Sequence, residues 1–282
     1  MASNHVLGVF FALASALVWG SGDFSGGLAT RRASQFHVLA LSAFSGVVLL
    51  IIGALVRGEH FPSAVSAVWA GAAGLAGAVG IACLYQGLSL GQAANVAPTA
   101  GVVSVAMPVL YGALSEGWPG NLRVAGFVLA VAGIALVSKS SSNPESADRR
   151  AFWLALLAGL GFGGFFILIA RVEPGLVFTP LIVARSLTLG FALLLLLVRR
   201  MPLPALTSSP IALLAGVLDA GGNIFYLIAK QFTRLDVAVV LASLYPVSTV
   251  LLAWLLLKQK VAGVQWLGAG LCTVAVVLIS LE

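Results

Sequence analysis

Residues 6–29 read VLGVFFALASALVWGSGDFSGGLA, an apolar run with one charged residue, Asp23. As a helix the run is long enough to cross the roughly 30 Å hydrocarbon core of a bilayer. An ionised carboxylate is costly at that depth, so it normally faces a helix bundle or a wet cavity. Steps of three and four residues place Ser15, Trp19, Asp23 and Gly26 on one helical face. The stretch therefore predicts a membrane-spanning helix with a functional carboxylate on its inner face.

The rest of the chain repeats this apolar pattern from end to end. Hydrophobic residues make up 60% of the 282 residues and charged residues only 9%, which excludes an ordinary soluble domain. Cutting the sequence at its charged and Pro/Gly/Asn-rich breaks predicts an all-α membrane protein of ten transmembrane helices with both termini on one side. The predicted spans are 6–29, 36–56, 66–89, 95–115, 121–138, 151–170, 177–198, 210–230, 236–257 and 262–281.

The charges and cysteines of the chain exclude several other classes of function. The net charge of +6 is spread over short loops, which is typical of membrane topology signals and not of a nucleic-acid-binding stripe. Counted over the loops, Lys and Arg favour both termini outside the cytoplasm. Cys83 and Cys272 lie in apolar runs without metal-ligand spacing, so we predict packing residues, no metal and no cofactor. The first run lacks a basic n-region, which favours a retained span over a cleaved signal peptide.

The two halves of the sequence repeat each other at an offset of about 142 residues. Trp19-Gly20, for example, falls opposite Phe162-Gly163. Five crossings are an odd number, so two tandem copies lie in opposite orientations, as in many transporters, around a central cavity. The alternative is chance likeness between Gly/Ala-rich apolar segments. The predicted divisions are a first five-helix repeat at 1–140, a polar linker at 141–150 and a second five-helix repeat at 151–282.

Ionisable residues in the second half are the strongest candidates for function. Asp219, Asn223 and Tyr226 recur at steps of four and three, which places a polar stripe on an otherwise apolar helix. Asp219 lies roughly 12 Å into its span at 1.5 Å per residue, nearer the midplane than Asp23. We predict that one of these two carboxylates carries a coupling proton. The alternative is a structural pair with Arg185 or Asn223, and Arg185 itself either clamps a carboxylate or snorkels to the interface.

Aromatic and small polar side chains within the spans predict a pocket for a small solute, although each aromatic residue could instead be core or lipid-facing. Prolines interrupt the fourth and ninth spans, and broken helices at corresponding places mark a transport path unless they are static kinks. The predicted substrate-binding residues are Trp19, Ser21, Tyr85, Gln86, Phe162, Arg185, Asn223, Tyr226 and Ser243. The predicted helix kinks are at Pro98, Pro108 and Pro246.

Short motifs give the whole chain a resemblance to the ten-helix, EamA-type branch of the drug/metabolite transporter superfamily. The segments that carry it are Ala16-Leu17-Val18-Trp19-Gly20-Ser21, Val96-Ala97-Pro98, Ser243-Leu244-Tyr245-Pro246-Val247 and Gln265-Trp266-Leu267-Gly268. The resemblance implies secondary transport, commonly export, of small metabolites or amino acids, and cytoplasmic termini. The chain departs from the family pattern after the ninth span, where Lys258-Gln259 replaces a Gly-Glu pair, and in the second span, where Ser42 replaces an arginine.

One enzyme motif is an alternative. Gly20-Ser21-Gly22-Asp23 matches the Gly-x-Gly-Asp pattern of intramembrane aspartyl proteases, for which Asp219 would be the partner carboxylate. That family's Pro-Ala-Leu element is missing and the order of its aspartates is reversed. A packing or assembly protein without flux is a third reading. The sequence favours a non-enzymatic inner-membrane permease whose partners are a small-molecule substrate, the lipid bilayer and protons.

Overall fold

The protein is entirely helical within the residues that the computed structural model describes, 2–89, 93–138, 149–258 and 260–281. A single 3-10 turn, Leu206–Ser208, precedes α8. The predicted linker at 141–150 lies outside the described residues up to 148. The helices are α1 (Ala2–Thr30), α2 (Gln35–Arg57), α3 (Ala64–Ser89), α4 (Ala93–Ser115), α5 (Asn121–Val137), α6 (Arg149–Ile169), α7 (Phe178–Val198), α8 (Pro210–Phe232), α9 (Leu235–Ala242), α10 (Tyr245–Leu257) and α11 (Gly263–Ser280).

These helices confirm ten membrane crossings in the described part of the chain. Eight segments are long and apolar enough to span a bilayer, and one of them, Leu235–Leu257, combines α9 and α10. The shorter apolar helices Thr99–Ser115 and Asn121–Val137 complete the set. Large apolar side chains such as Leu55 and Leu114 are exposed on the outside of the bundle, where acyl chains would cover them.

Local signals fix where the helices begin and end. The Ser34 hydroxyl accepts a hydrogen bond from the Phe36 amide at the start of α2, and Ser209 accepts one from Ala212 at the start of α8. Both satisfy amides that a helix N-terminus leaves without partners. Gly58 ends α2 in a left-handed conformation with φ of 64°, which glycine adopts without steric cost.

The prolines behave differently in the two halves. The ninth crossing is broken, because α9 ends at Ala242 and α10 begins at Tyr245, immediately before Pro246. By contrast, α4 runs as one helix from Ala93 to Ser115 through positions 98 and 108. A proline removes one hydrogen bond and often bends a helix, but it does not have to end the helix. The side chain of Pro98 lies outside the described residues.

Helix packing follows the predicted inverted repeat. The first helix of each half packs against the third helix of the other, as α1 on α8 and as α6 on α3. The second helix of each half likewise packs on the third helix of the other, as α2 on α8 and as α7 on α3. Two further pairs, α2 with α7 and α5 with α11, join equivalent helices directly. Exchanging the two halves therefore maps these contacts onto themselves, as an inverted repeat requires.

The crossings leave two membrane ends with different chemistry. We call the end with the N-terminus of α1 and the C-terminus of α11 the terminal face, and it also holds the loops at 58–63, 116–120, 170–177 and 233–234. We call the opposite end the basic face, which holds the loops at 31–34 and 199–209 and the ends of α5 and α10. Described acidic loop residues, including Glu59, Glu116 and Glu173, lie at the terminal face.

Lys258, at the end of α10, occupies a position that favours glycine. Its backbone is left-handed, with φ of 52° and ψ of 31°, and a Cβ makes that conformation unfavourable by roughly 1–2 kcal/mol. The Lys258→Gly variant is therefore expected to raise the thermal unfolding midpoint in detergent. Lys260→Gly is the matched control, because Lys260 has no positive φ and glycine there only adds entropy to the unfolded chain. Equal midpoints for the two variants would show that the left-handed backbone at Lys258 is not strained.

Candidate functional site

An ion pair of the second half lies at the centre of the candidate site and borders the first half at Ser42. The Arg185 Nη1 on α7 donates to the Asp219 carboxylate on α8, and Nη2 lies 3.5 Å from the Ser42 carbonyl oxygen on α2. The Asn223 side-chain amide donates to the backbone carbonyl of Asp219 at 2.7 Å. The Arg185 side chain is 16% exposed and that of Asp219 is 37% exposed. The two charges therefore compensate each other inside the bundle, as charges within a membrane usually do.

A close approach of α2 makes room for the guanidinium. A Cβ at Gly46 would lie 2.9 Å from Arg185 Nε, which is too close for any larger residue to fit without movement. Nε itself is buried and has no hydrogen-bond partner among the residues that the structure describes. The arginine that the family pattern places on the second span is Ser42 here, and its backbone carbonyl contacts Arg185 instead. The Arg185 guanidinium therefore contacts both halves, Asp219 in the second and Ser42 in the first.

A small cavity lies beside the ion pair. Its volume is about 30 Å³, which is room for one or two water molecules and too little for a metabolite. The polar side chains in its wall come from α7 and α8, and the rest of the wall is apolar. The lining residues are Leu50, Phe165, Leu181, Ala184, Arg185, Thr188, Ala220 and Asn223.

Asp23 faces open space between α8 and α10. α1 packs on α8 through Gly22 and on α10 through Gly20, and the helical period points Asp23 between these two contacts, on the same side as Trp19. The Asp23 carboxylate is exposed and is close enough to Asp219 for mutual repulsion. A Cβ at Gly27, one turn further on, would meet no atom within 4 Å. We call this space, bounded by Asp23, Gly27, Asp219 and Tyr245, the vestibule; the exposed Gly27 is its member nearest the basic face.

An aromatic cluster closes the vestibule below Asp23. The Trp19 ring lies 5.7 Å from that of Phe166, 6.0 Å from that of Tyr226 and 6.4 Å from that of Tyr245. The Trp19 indole donates to the Asp219 carbonyl at 3.1 Å, and the Tyr226 hydroxyl donates to the Phe166 carbonyl at 3.0 Å. Tyr226 is completely buried, so in this conformation it acts as part of the floor and is not accessible to a solute.

The terminal face is closed by contacts between the halves. Every residue of α9 is buried, whereas in α10 only Ser248 is. The Lys230 Nζ lies 3.0 Å from a Glu116 carboxylate oxygen. Arg234 lies 2.8 Å from the buried Asp236 carboxylate and donates to the Gly117 carbonyl at 2.6 Å. The hydrogen bond to Asp236 raises the pKa of Arg234, so this guanidinium stays charged and the contacts persist at neutral pH.

Two loop carboxylates add to this closure. Glu59, after α2, accepts hydrogen bonds from the amides of Val177, Phe178 and Thr179 at 2.9, 2.7 and 2.8 Å. It therefore caps the N-terminus of a helix in the other half, where a negative charge is favourable. Glu173 accepts from the Ser63 amide at 3.1 Å, and this hydrogen bond lowers the pKa of Glu173.

Removing the Glu59 cap is expected to destabilise the protein. Glu59→Ala leaves three amides at the start of α7 without their acceptor, and loss of an N-cap costs about 1–2 kcal/mol. The side chain is 4% exposed, so water would replace the carboxylate poorly. Glu173→Ala is the control, because it removes one amide contact from a more exposed carboxylate. Thermal unfolding in detergent measures both, and a midpoint for Glu59→Ala at or above that of Glu173→Ala would contradict the cap.

The structure brings together five of the eleven residues predicted to bind substrate or couple protons. Trp19, Asp23, Arg185, Asp219 and Asn223 surround the vestibule and the ion pair. Sequence reasoning missed Tyr245 and Phe166, although Tyr245 stands in the motif quoted for the ninth span. It missed Thr188 as well, which lines the cavity.

The other predicted site residues lie in different surroundings. The Ser21 hydroxyl donates to the Leu17 carbonyl of its own helix at 2.8 Å. Phe162 packs against Gly80, and Ser243 is buried at the break between α9 and α10. Gln86 is exposed, and the side chain of Tyr85 lies outside the described residues.

Comparisons with known proteins agree with this architecture. The model of the EamA-like transporter family matches twice, over residues 6–139 and 149–281. One solved structure, described only as a crystal structure of a protein, is similar over 99% of this chain and 96% of its own, with a TM-score of 0.75 at 20% sequence identity. At that identity the likeness concerns the fold alone. No curated protein matches significantly. Because the two family matches together cover nearly the whole sequence, the chain belongs to the EamA-like transporter family of the drug/metabolite transporter superfamily.

Proposed function

We propose that this transporter exports a small polar or amphipathic metabolite, such as an amino acid, across the inner membrane by alternating access. The vestibule admits the solute from the basic face, and rocking of the halves would then open the closed terminal face. The observation that carries the proposal is the Arg185–Asp219 ion pair of the second half, which lies beside a cavity and contacts the first half at the Ser42 carbonyl. Ionisable groups inside a membrane usually mark a substrate or ion path.

We further propose that the basic face lies in the cytoplasm. The positive-inside rule assigns the face richer in Lys and Arg to the cytoplasm. The family resemblance implies the opposite orientation, with cytoplasmic termini. At the basic face the described cations are Arg31, Arg32, Arg149, Arg150, Arg199, Arg200, Lys258 and Lys260, and at the terminal face they are Arg57, Arg123, Arg171, Lys230 and Arg234.

Fusions to the C-terminus test this orientation. Alkaline phosphatase fused there is expected to be active and green fluorescent protein dark, because the terminal face would lie outside the cytoplasm. A fluorescent fusion with an inactive phosphatase would place the basic face outside. The vestibule would then open outward in this conformation, and the direction of transport would have to be reversed in the proposal.

Proton coupling is the second part of the proposed function, with Asp219 or Asp23 as the carrier. In proteoliposomes, an imposed pH gradient is expected to drive accumulation of a solute from a labelled amino-acid mixture, and Asp219→Asn is expected to abolish that accumulation. Gly270→Ala is the control, because a Cβ at Gly270 would have no atom of the described part of the chain within 4 Å. Flux that ignores both the gradient and Asp219→Asn would eliminate coupling and leave facilitated diffusion.

The two other readings from the sequence have less support. Asp23 and Asp219 lie near each other, as an aspartyl protease requires. However, Arg185 binds the Asp219 oxygen, whereas the protease mechanism needs the two carboxyls to share one proton. A cleaved transmembrane reporter that depends on both aspartates would favour the protease. A packing protein is expected to have an interior without polar groups, which differs from the charged and amide groups around this cavity.

A further inference from the structure

The charges around the vestibule do not balance. Asp219 is paired with Arg185, whereas no hydrogen bond or ion pair reaches Asp23 from any residue that the structure describes. The titratable groups that face Asp23 are Asp219 from α8 and Tyr245 from α10, and neither of them supplies a positive charge. Arg185 is engaged by Asp219 and the Ser42 carbonyl. With Asp23, Asp219 and Arg185 all ionised, the site therefore carries a net charge of about −1.

A carboxylate in this position needs either a proton or a cation. Asp23 lies within a membrane-spanning helix, where a charge without a partner is unfavourable even beside open space, and Asp219 adds repulsion. A proton and an ammonium group would each neutralise Asp23, but one carboxylate does not hold both together. An ammonium would also lie beside the rings of Tyr245 and Trp19, whose faces attract cations.

We propose that the transported solute carries an ammonium group that binds Asp23 in exchange for a proton. The inference rests on the proposed function and gives it a substrate class. In each cycle one proton enters as one monovalent amine leaves, so the exchange moves no net charge. Carboxylic acids are excluded, because Asp23 and Asp219 repel an anion. A zwitterion binds more weakly than an amine with the same side chain, because its carboxylate must compete with Asp219 for Arg185.

Matched probes with one side chain and three charge states test the substrate class. The first set is isoamylamine, leucine and 4-methylpentanoate, and the second is phenethylamine, phenylalanine and 3-phenylpropanoate. Each is titrated into purified protein in weakly buffered detergent, with thermal stabilisation as the measure of binding and a pH indicator for proton release. We expect stabilisation in the order amine, amino acid, acid, with about one proton released per bound amine. Stronger stabilisation by the acids, or amine binding without proton release, would overturn the proposal.

Variants of Asp23 tie the exchange to one carboxylate. Asp23→Asn is expected to lose amine binding and proton release together, and Asp23→Glu to retain both. Ser21→Ala is the control, because that hydroxyl bonds within its own helix. Proton release that persists in Asp23→Asn would overturn the proposal. If Asp23→Asn does not fold, the wild-type protein still decides the question. Protons and the amine compete for the same carboxylate, so the amine Kd should fall about tenfold for each unit by which the pH is raised. This holds over the pH range in which Asp23 is protonated in the absence of amine. A flat Kd there would overturn the exchange.

Transport of the same probes separates this inference from the proposed function. Flux of leucine or of the acids, with no preference for the amines, would remove the substrate class and leave a transporter. Absence of flux for all six probes, in liposomes whose protein is folded, would count against both the class and transport. Amine flux driven by a pH gradient and insensitive to membrane potential is the expected result.

Discussion

Gly216→Val is expected to prevent the chain from reaching a stable, monodisperse state in detergent. A side chain at this position would overlap the Ser42 carbonyl and the Ser45 hydroxyl of α2. Backbone atoms on a packed helix have nowhere to move, so α2 and α8 would have to separate. The 2.7 Å hydrogen bond from Ser45 to the Leu213 carbonyl lies in the same contact and would be lost. Overpacking of a well-packed interior costs about 1–3 kcal/mol or more.

The control for this variant is Gly190→Val on α7, where a Cβ would meet no atom within 4 Å. Both substitutions place the same β-branched residue within a membrane-spanning helix, so helix propensity changes by a similar amount in each. Size-exclusion profiles and thermal unfolding midpoints distinguish them. If Gly190→Val is as damaging as Gly216→Val, then the close approach of α2 is not the cause.

Hydropathy and the internal repeat were sufficient to predict the architecture. The ten crossings follow from the apolar runs, and the packing of α1 on α8 and of α6 on α3 follows the inverted repeat. A kink was predicted at Pro246, and α10 begins one residue before it. The kinks predicted at Pro98 and Pro108 stay predictions, because a helix that is continuous, as α4 is, can still bend at a proline.

Side-chain roles were harder to predict because periodicity gives the face of a helix and not its neighbour. Spacing predicted that Asp219 and Tyr226 share a stripe, yet Tyr226 is sealed against Phe166 while Asp219 borders open space. Pairing with Arg185 was one of several alternatives, and only the approach of α7 to α8 selects it. The cap that Glu59 provides for α7 joins residues far apart in sequence and has no local signal.

The same dependence on neighbours predicts a non-additive response when the ion pair is removed. Arg185→Leu and Asp219→Leu are each expected to lower the thermal midpoint strongly. Each leaves one charge without its partner inside the bundle. Breaking a fully buried pair costs about 3–5 kcal/mol, and the partial exposure of Asp219 makes the cost smaller here. The loss should be larger in Asp219→Leu, because the Arg185 guanidinium then retains only a 3.5 Å contact with the Ser42 carbonyl. The orphaned Asp219 in Arg185→Leu is 37% exposed and recovers some hydration.

The double variant Arg185→Leu/Asp219→Leu is expected to regain most of that stability, because two apolar side chains can replace a buried pair at little or no cost. It is nevertheless expected to be inactive in proteoliposome flux, because the charges beside the cavity are gone. The coupling energy from the four midpoints, at matched detergent and pH, measures the pair directly. Additive losses would show that the two residues act separately. A double variant that transports as the wild type does would show that the ion pair is structural, and the closed terminal face would then need another element to drive its opening.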